Sequence, residues 1–381
     1  MKVLRSLCAV TALALCLAGC QTGNTPSQGS AAASTPGTTK SETGTASSTA
    51  AAGATGAAAT ADTAGKSATV DLNELTIRSN LDKTGKFVIN YPEAVWKKHG
   101  KALELKAYPK KIVNLSTSSL FLMSKLKVDL IGVSRTVKNT RAAEYYKNIK
   151  TIDSGMRSVD TEAVIAMEPD LVIMSGGMKE KFGSQIEKLN IPVYYTSEGP
   201  IVNLAVNQAE TECLAEAFGG SQAKEDVTAI YAAMRKSAEA YAKEHAAKSA
   251  MVIFGPGGKG VMVATSTSFF GQQLKLLGFE NAADPINAKG SGVLPSSLEV
   301  LAKQNPAVIF LIAPPTGYDP QTLIDAFNSA KAKDPKIYEA IQAVKDNKVI
   351  ALPGNYTTSK GLEVVPDFVK LIDLLSEKLG K

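Results

Sequence analysis

From Lys110 onward, short apolar runs alternate with amphipathic stretches. KKIVNL, DLIGVS, TIDSG, DLVIMS and IPVYYT read as strands, and SSLFLMSKL, EYYKNI, TEAVIAM and KFGSQIEKL between them read as helices. Strands alternating with such helices predict a parallel sheet flanked by helices. From Ile201 to Lys248 strand signals nearly vanish, and Gly219-Gly220 divides the stretch. Beyond it Val227, Ile230, Tyr231, Met234, Ala238 and Tyr241 step by three and four, which predicts one amphipathic helix from Ser221 to about Ala247. Such a helix is about 40 Å long. The alternation then restarts with AMVIFG, GVMVAT, FGQQLKLLGF, SLEVLAKQN, AVIFLIA, PQTLIDAF, IYEAIQAVK and KVIALP, and closes on a helix from Val364 to Leu379. The expected fold class is α/β: two Rossmann-like lobes with parallel sheets, joined by one long helix.

One phrase recurs. TEAVIAMEPDLVIMSGG (161–177) and LEVLAKQNPAVIFLIAPP (298–315) each open on a glutamate, reach a proline seven residues later and run into an apolar strand. A helix and its following strand are thus used once in each lobe. Duplicated lobes of this kind form a binding architecture, because the carboxyl ends of their strands face a common cleft.

The start of the chain changes the picture of where this module sits. MKVLRSLCAVTALALCLAGC has two cations ahead of an apolar run too short to span a membrane as a mature helix, so residues 1–20 read as a signal peptide. Its Leu-Ala-Gly-Cys end resembles the bacterial lipobox, which would make Cys20 the lipidated N-terminus; an ordinary signal cleaved nearby is the alternative. Residues 21–66 are almost wholly Ala, Thr, Ser and Gly, too poor in apolar surface to offset ordering entropy, and read as a disordered tether. Residues 67–107 form an N-terminal extension whose role stays open, with TVDLNELTIRSNLDKTGKFVINYP suggesting short strands. The lobes are then 108–200 and 249–381, with 201–248 as the helical connector.

Charge and cysteine narrow the function classes. Net charge is +6, and beyond residue 66 the balance is 38 basic against 34 acidic residues, too mild to imply nucleic acid. Cys8 and Cys16 leave with the signal and Cys20 takes lipid, so Cys213 alone remains and no disulfide framework exists. Histidine occurs only at 99 and 245, too few for a receptor that holds a bare metal ion through several imidazoles. GPGGKG (255–260) satisfies G-x-G-x-x-G, but a strand follows it rather than a helix, so it reads as a Gly-rich hairpin.

PKKIVNLSTSSLFLMSKLKVDLIGV, the two Glu-x6-Pro phrases, VMVATSTSFFGQQLKLLGFENAA and VKDNKVIAL together resemble the class III substrate-binding proteins of ABC importers, over about residues 108–380. That family captures iron–siderophore complexes, haem or cobalamin, and the likeness is strongest to Gram-positive haem-receptor lipoproteins. The resemblance implies a lipid-anchored extracytoplasmic receptor with no catalytic residues and no intrinsic cofactor. Its cargo would be haem or a ferric siderophore, and its partners an ABC permease and its ATPase. A monomer is expected. A cobalamin receptor, an enzyme on the same two-lobe plan and a purely adhesive lipoprotein are the rival readings.

In that family a glutamate on each lobe docks into the permease, and by motif position these are Glu162 and Glu299. Helix capping explains the same residues independently, since Ser296-x-x-Glu299 is a capping box and Glu162 follows Asp160 in a first turn. Ligand contacts should come from loops after strands. Arg135, Lys138, Arg141 and Arg157 cluster on the first-lobe rim, suited to propionates or an anionic siderophore, although surface loops carry such cations anyway. Met178 and Tyr356 lie in two further loops of the set. Met156 falls near the position of an axial methionine in haem receptors, or is a packing residue at a helix start. The corresponding second-lobe histidine is missing, and Tyr318 is the alternative iron ligand if the cargo is haem.

Overall fold

The computed structural model describes residues 71–380, apart from 73, 156, 198–202, 246–247, 255–260, 288 and 313–318. Strands β3 (Ile112–Asn114), β4 (Gly132–Ser134), β5 (Lys150–Ile152), β6 (Leu171–Ser175) and β7 (Val193–Thr196) follow β1 (Phe87–Asn90) and β2 (Ala102–Leu105) in the chain. They build one sheet in the order β5-β4-β3-β6-β7, parallel throughout. The second sheet takes β8 (Ser249–Phe254), β9 (Val261–Ala264), β10 (Glu280–Asn281), β11 (Val293–Ser296), β12 (Val308–Ile312) and β13 (Val349–Ala351). Its order is β11-β9-β8-β12-β13, with β10 beside β8. This sheet is mixed, because β9 runs against both β8 and β11. Only a short connection separates β8 from β9, and a connection that short permits an antiparallel pair alone.

Side chains alternate across each strand and so divide the core into three. In the first sheet Ile112, Leu171 and Ile173 enter a central cluster, whereas Val113, Val172 and Met174 enter an outer one. In the second, Ala250, Val252, Val308, Phe310 and Ile312 face the same central cluster, and Met251, Ile253, Ile309 and Leu311 face a separate outer one. The two sheets therefore share one core. Leu214, Phe218, Ile230, Tyr231 and Met234 of the helical connector and Phe368, Leu371 and Leu375 of the last helix, Val364–Leu379, fill it.

The connector spans Leu204–Glu244, but Gly220 sits at φ 81°, ψ −175° and breaks it in two. The halves double back on one another. Asn207 Nδ2 donates to the Tyr231 hydroxyl (2.8 Å), Thr228 Oγ1 to Glu212 (2.9 Å) and Lys224 Nζ to Glu216 (2.9 Å), pairings that shrink steadily toward the glycine. The result is a helical hairpin whose longer arm, Ser221–Glu244, is about 36 Å long. Only glycine fits the turn: φ is left-handed, and a Cβ on Gly220 would stand 2.2 Å from Asn80 Oδ1.

That contact explains the N-terminal extension. Asn80 Oδ1 accepts from the Gln222 N–H (3.1 Å) and Asn80 N–H donates to the Gly219 carbonyl (2.9 Å), so one residue caps both broken helix ends. Arg78 adds a forked pair to Asp226, with its own backbone N–H 2.7 Å from Oδ2. Next, β1 and β2 pair antiparallel, and β1 packs on the connector. Tyr91 Oη accepts the Tyr195 N–H (3.1 Å) from edge strand β7, which shields it from pairing with another chain. Of the short strands expected between residues 69 and 92, β1 forms, while none forms between Asp71 and Lys86 among the described residues.

Candidate functional site

The carboxyl ends of β3, β6 and β7 carry hydroxyls rather than charge. Ser116 Oγ lies 2.8 Å from Thr196 Oγ1 and 2.9 Å from Ser118 Oγ, although β6 stands between the strands. Buried Asn114 organises the loop behind them, accepting from the Ser116 N–H (2.9 Å) and donating to Ser119 Oγ (2.9 Å). Beyond β4, Ser134 Oγ caps the turn Arg135–Asn139.

The four predicted rim cations divide into two kinds. Arg135 bridges to Asp153 (3.1 Å), both exposed, a pair worth at most about 1 kcal/mol. Arg141 is committed elsewhere: its guanidinium pairs with buried Asp367 and its N–H donates to Glu363 Oε1 (2.6 Å). Lys138 and Arg157 are exposed and form no ion pair among the described residues, while the Arg157 carbonyl accepts from Lys181 Nζ (2.9 Å). The Arg135–Asp153 and Lys181–Arg157 contacts draw the loops after β4, β5 and β6 together. Met178 is 6% exposed and packs with Met174 and Ile186 in the outer core of the first lobe. Tyr356 is half-buried against the central core, where burial, with Asp367 and Asp373 nearby, pushes its hydroxyl up.

Arg141 belongs to a junction between the lobes. Asp367 also accepts from Asn355 Nδ2 (2.9 Å) and from the Ser359 hydroxyl, so both its oxygens are engaged. Beside it Gly361, at φ +60°, lies flat on the first lobe: a Cβ there would stand 1.7 Å from the Ser118 carbonyl oxygen. The Gly361 carbonyl accepts from Tyr231 Oη (2.8 Å), and its N–H donates to Asn207 Oδ1 (2.7 Å). Burial pushes the Glu363 carboxyl up to about 7, against the opposing bond from Arg141. A second carboxyl behaves alike. Glu210, 7% exposed, accepts from both Ser197 N–H (2.6 Å) and Ser197 Oγ (2.8 Å) at the end of β7, and burial lifts it to about 7. Sequence reading missed this junction, because its partners lie far apart in the chain.

It also missed His99. Chain direction explains the location: β2 runs down to the start of β3, so the β1–β2 tip rises to the carboxyl end of the sheet. There the imidazole stacks between Tyr91 (5.3 Å) and Tyr195 (5.4 Å) beside Gly176, the residue after β6.

The two repeat glutamates occupy matching places. Glu162 is the second residue of helix Thr161–Ile165, Glu299 the second of Leu298–Gln304, and both are exposed. Those helices lead into β6 and β12, each the fourth strand of its sheet order. Asp160 Oδ1 caps the first at the Ala163 N–H (2.9 Å), and Ser297 Oγ the second at the Val300 N–H (3.3 Å). The capping box expected from Ser296 does not form; Ser296 belongs to β11, one residue too early. The Ser297 hydroxyl holds the Glu299 carboxyl below its usual range.

Cys20, Met156, Tyr318 and GPGGKG (255–260) lie outside the described residues. Among the described residues no group of three or more His, Cys, Asp or Glu side chains is placed to hold a metal ion, and no helix is long and apolar enough to cross a membrane.

A family described as periplasmic binding protein matches residues 112–356. No curated protein matches the chain. Among solved structures, an ABC transporter substrate-binding protein from Listeria monocytogenes EGD-e is similar at 22% identity and TM-score 0.57, over 70% of this chain and 98% of that one. S. aureus IsdE complexed with heme gives 22% and 0.54, over 69% and 98%. An ABC-type Fe3+-hydroxamate transport system from Saccharomonospora viridis DSM 43017 gives 20% and 0.54, over 74% and 97%.

Proposed function

The chain belongs to the periplasmic binding protein family, and from that premise we propose that it is the extracytoplasmic receptor of an ABC importer for an iron chelate, haem or a ferric siderophore. It binds its cargo without turnover and hands it to a permease and its ATPase. The observation that carries the reading is the pair Glu162 and Glu299, one exposed carboxylate at the same place in each lobe. Two such acids present a symmetric address to a two-fold partner.

The cargo chemistry rests on the strand ends. Lys138 and Arg157 remain to meet an anion, and Arg135 can exchange its weak surface pair. Similar folds named for heme and for Fe3+-hydroxamate support an iron complex over a bare ion. If haem is the cargo, Met156 and Tyr318 are iron ligands, and Met178, Arg141 and Tyr356 support the wall from behind. Cys20 carries the lipid that holds the monomer at the membrane.

Absorbance titration of the purified protein with haemin, a ferric trihydroxamate and cobalamin tests this. Saturable binding of either iron complex is expected. Binding of cobalamin alone shifts the assignment to that cargo, conversion of any added complex makes the protein an enzyme, and no binding at all ends the receptor reading.

A further inference from the structure

The tip of the β1–β2 hairpin, Tyr91–Lys101, is pinned at the carboxyl end of the first sheet by the Tyr91–Tyr195 bond and by the His99 ring stacked between those tyrosines. Its outer side is open. A Cβ on Gly100, at φ +82°, would meet nothing within 4 Å. Trp96, Lys97, Lys98 and Lys101 are all exposed there. Trp96 is the chain's single tryptophan, and it is 38% exposed although tryptophan is on average highly buried. Its indole N–H donates to the Tyr91 carbonyl (2.8 Å), which satisfies the one polar group and fixes the ring. Lys101 Nζ lies 5.2 Å from the centre of that ring. Lys97, Lys98 and Lys101 form no ion pair among the described residues. Lys179 adds another cation, 5.0 Å over the Tyr195 ring, and the exposed acids of the same stretches, Glu93 and Glu180, leave the face net positive. An indole beside unpaired lysines suits the boundary between water and an anionic bilayer, where the ring is half-buried and the ammonium groups meet phosphates.

We propose that the β1–β2 tip docks on the anionic headgroup layer of the membrane beside the permease, with Trp96 entering the interface and Lys97, Lys98 and Lys101 on lipid phosphates. The inference rests on the receptor reading and adds a second contact to it. Helix Thr161–Ile165, which carries Glu162, follows β5 and so starts at the same end of the sheet as the tip. A receptor that offers Glu162 to a permease therefore turns the tip toward the bilayer, and the tip in turn orients the first lobe. Each lysine at an anionic surface strengthens binding roughly fivefold. A contact of that strength is weak alone and effective for a chain already held at the membrane through Cys20.

The test uses residues 21–381, which keep every described element and omit Cys20, so that no acyl chain binds in place of the tip. Trp96, as the single tryptophan, reports directly. With vesicles of phosphatidylglycerol and phosphatidylcholine in equal parts, its emission shifts to the blue and bromine-labelled acyl chains quench it. Phosphatidylcholine vesicles give no shift, and raised salt reverses the binding. The Lys97→Gln, Lys98→Gln variant, whose exposed side chains leave the fold intact, binds the anionic vesicles more than roughly tenfold more weakly and keeps its chelate affinity. Absence of a blue shift on anionic vesicles overturns the proposal, as does equal binding to both vesicle types or parent-like binding by the double variant. Slowed cellular uptake by the double variant, with no vesicle binding by the parent, also overturns it and makes the tip a contact for the permease itself. None of these vesicle readouts involves cargo, so chelate titration decides the receptor reading separately.

Discussion

Glu162 and Glu299 stand where the helix dipole alone would favour a carboxylate. Docking is separable from that effect. Glu162→Ala and Glu299→Ala are each expected to leave chelate affinity unchanged, lower stability only slightly and slow cellular uptake; uptake at the wild-type rate in both variants reduces the acids to helix formers. Cys20 makes its own prediction: Cys20→Ala should abolish lipid labelling and release the protein from membranes, and retained labelling refutes the anchor. Gly361 is the residue with least tolerance. Left-handed φ and a Cβ position 1.7 Å from Ser118 O leave no room for a side chain. Gly361→Ala should therefore cost about 3 kcal/mol or more, read from denaturant unfolding. A smaller loss means the Ser118 helix can shift without penalty.

Elements followed the sequence where their cause was local. Periodicity gave the sheets, and Gly219-Gly220 marked the break in the connector, although not the reversal, which depends on side-chain pairs such as Asn207–Tyr231. EYYKNI, read as a helix, forms turns instead, because Tyr146 is drawn inward and its hydroxyl donates to the Val128 carbonyl (3.0 Å). Met178 read as a loop residue, yet nothing in a short loop reveals that its side chain folds back into the core. Arg141 was legible as a cation but not as a strut, since Asp367 lies 226 residues away. The two buried carboxyls that accompany the junction give it a pH dependence. Glu210 and Glu363 titrate near 7 in the fold and from 4.5 when unfolded, so the native chain retains protons the unfolded chain has lost. Their stabilising contribution is full below the unfolded value and disappears as pH rises through about 7. Denaturation midpoints followed from acid to mildly alkaline pH should fall more for wild type than for the Glu210→Gln, Glu363→Gln double variant; parallel curves refute the assignment.

At the scale of the molecule, one core serves both sheets, and the Arg141–Asp367 pair and the Gly361–Ser118 contact bind the lobes directly. Wide closure would have to tear that core, so cargo binding should move loops more than lobes. Scattering from residues 67–381 is expected to show nearly the same radius of gyration with and without saturating chelate, and a large contraction would contradict the shared core. The strap over the helix break has a consequence for how the protein is made. Arg78 finds Asp226 only after 148 further residues have been synthesised, roughly 7–30 s at ordinary ribosomal rates. Until then the inner face of the first sheet has no partner either, because the connector that covers it is still to come. The nascent first lobe therefore stays open over that interval, the state that export in the location proposed above would require.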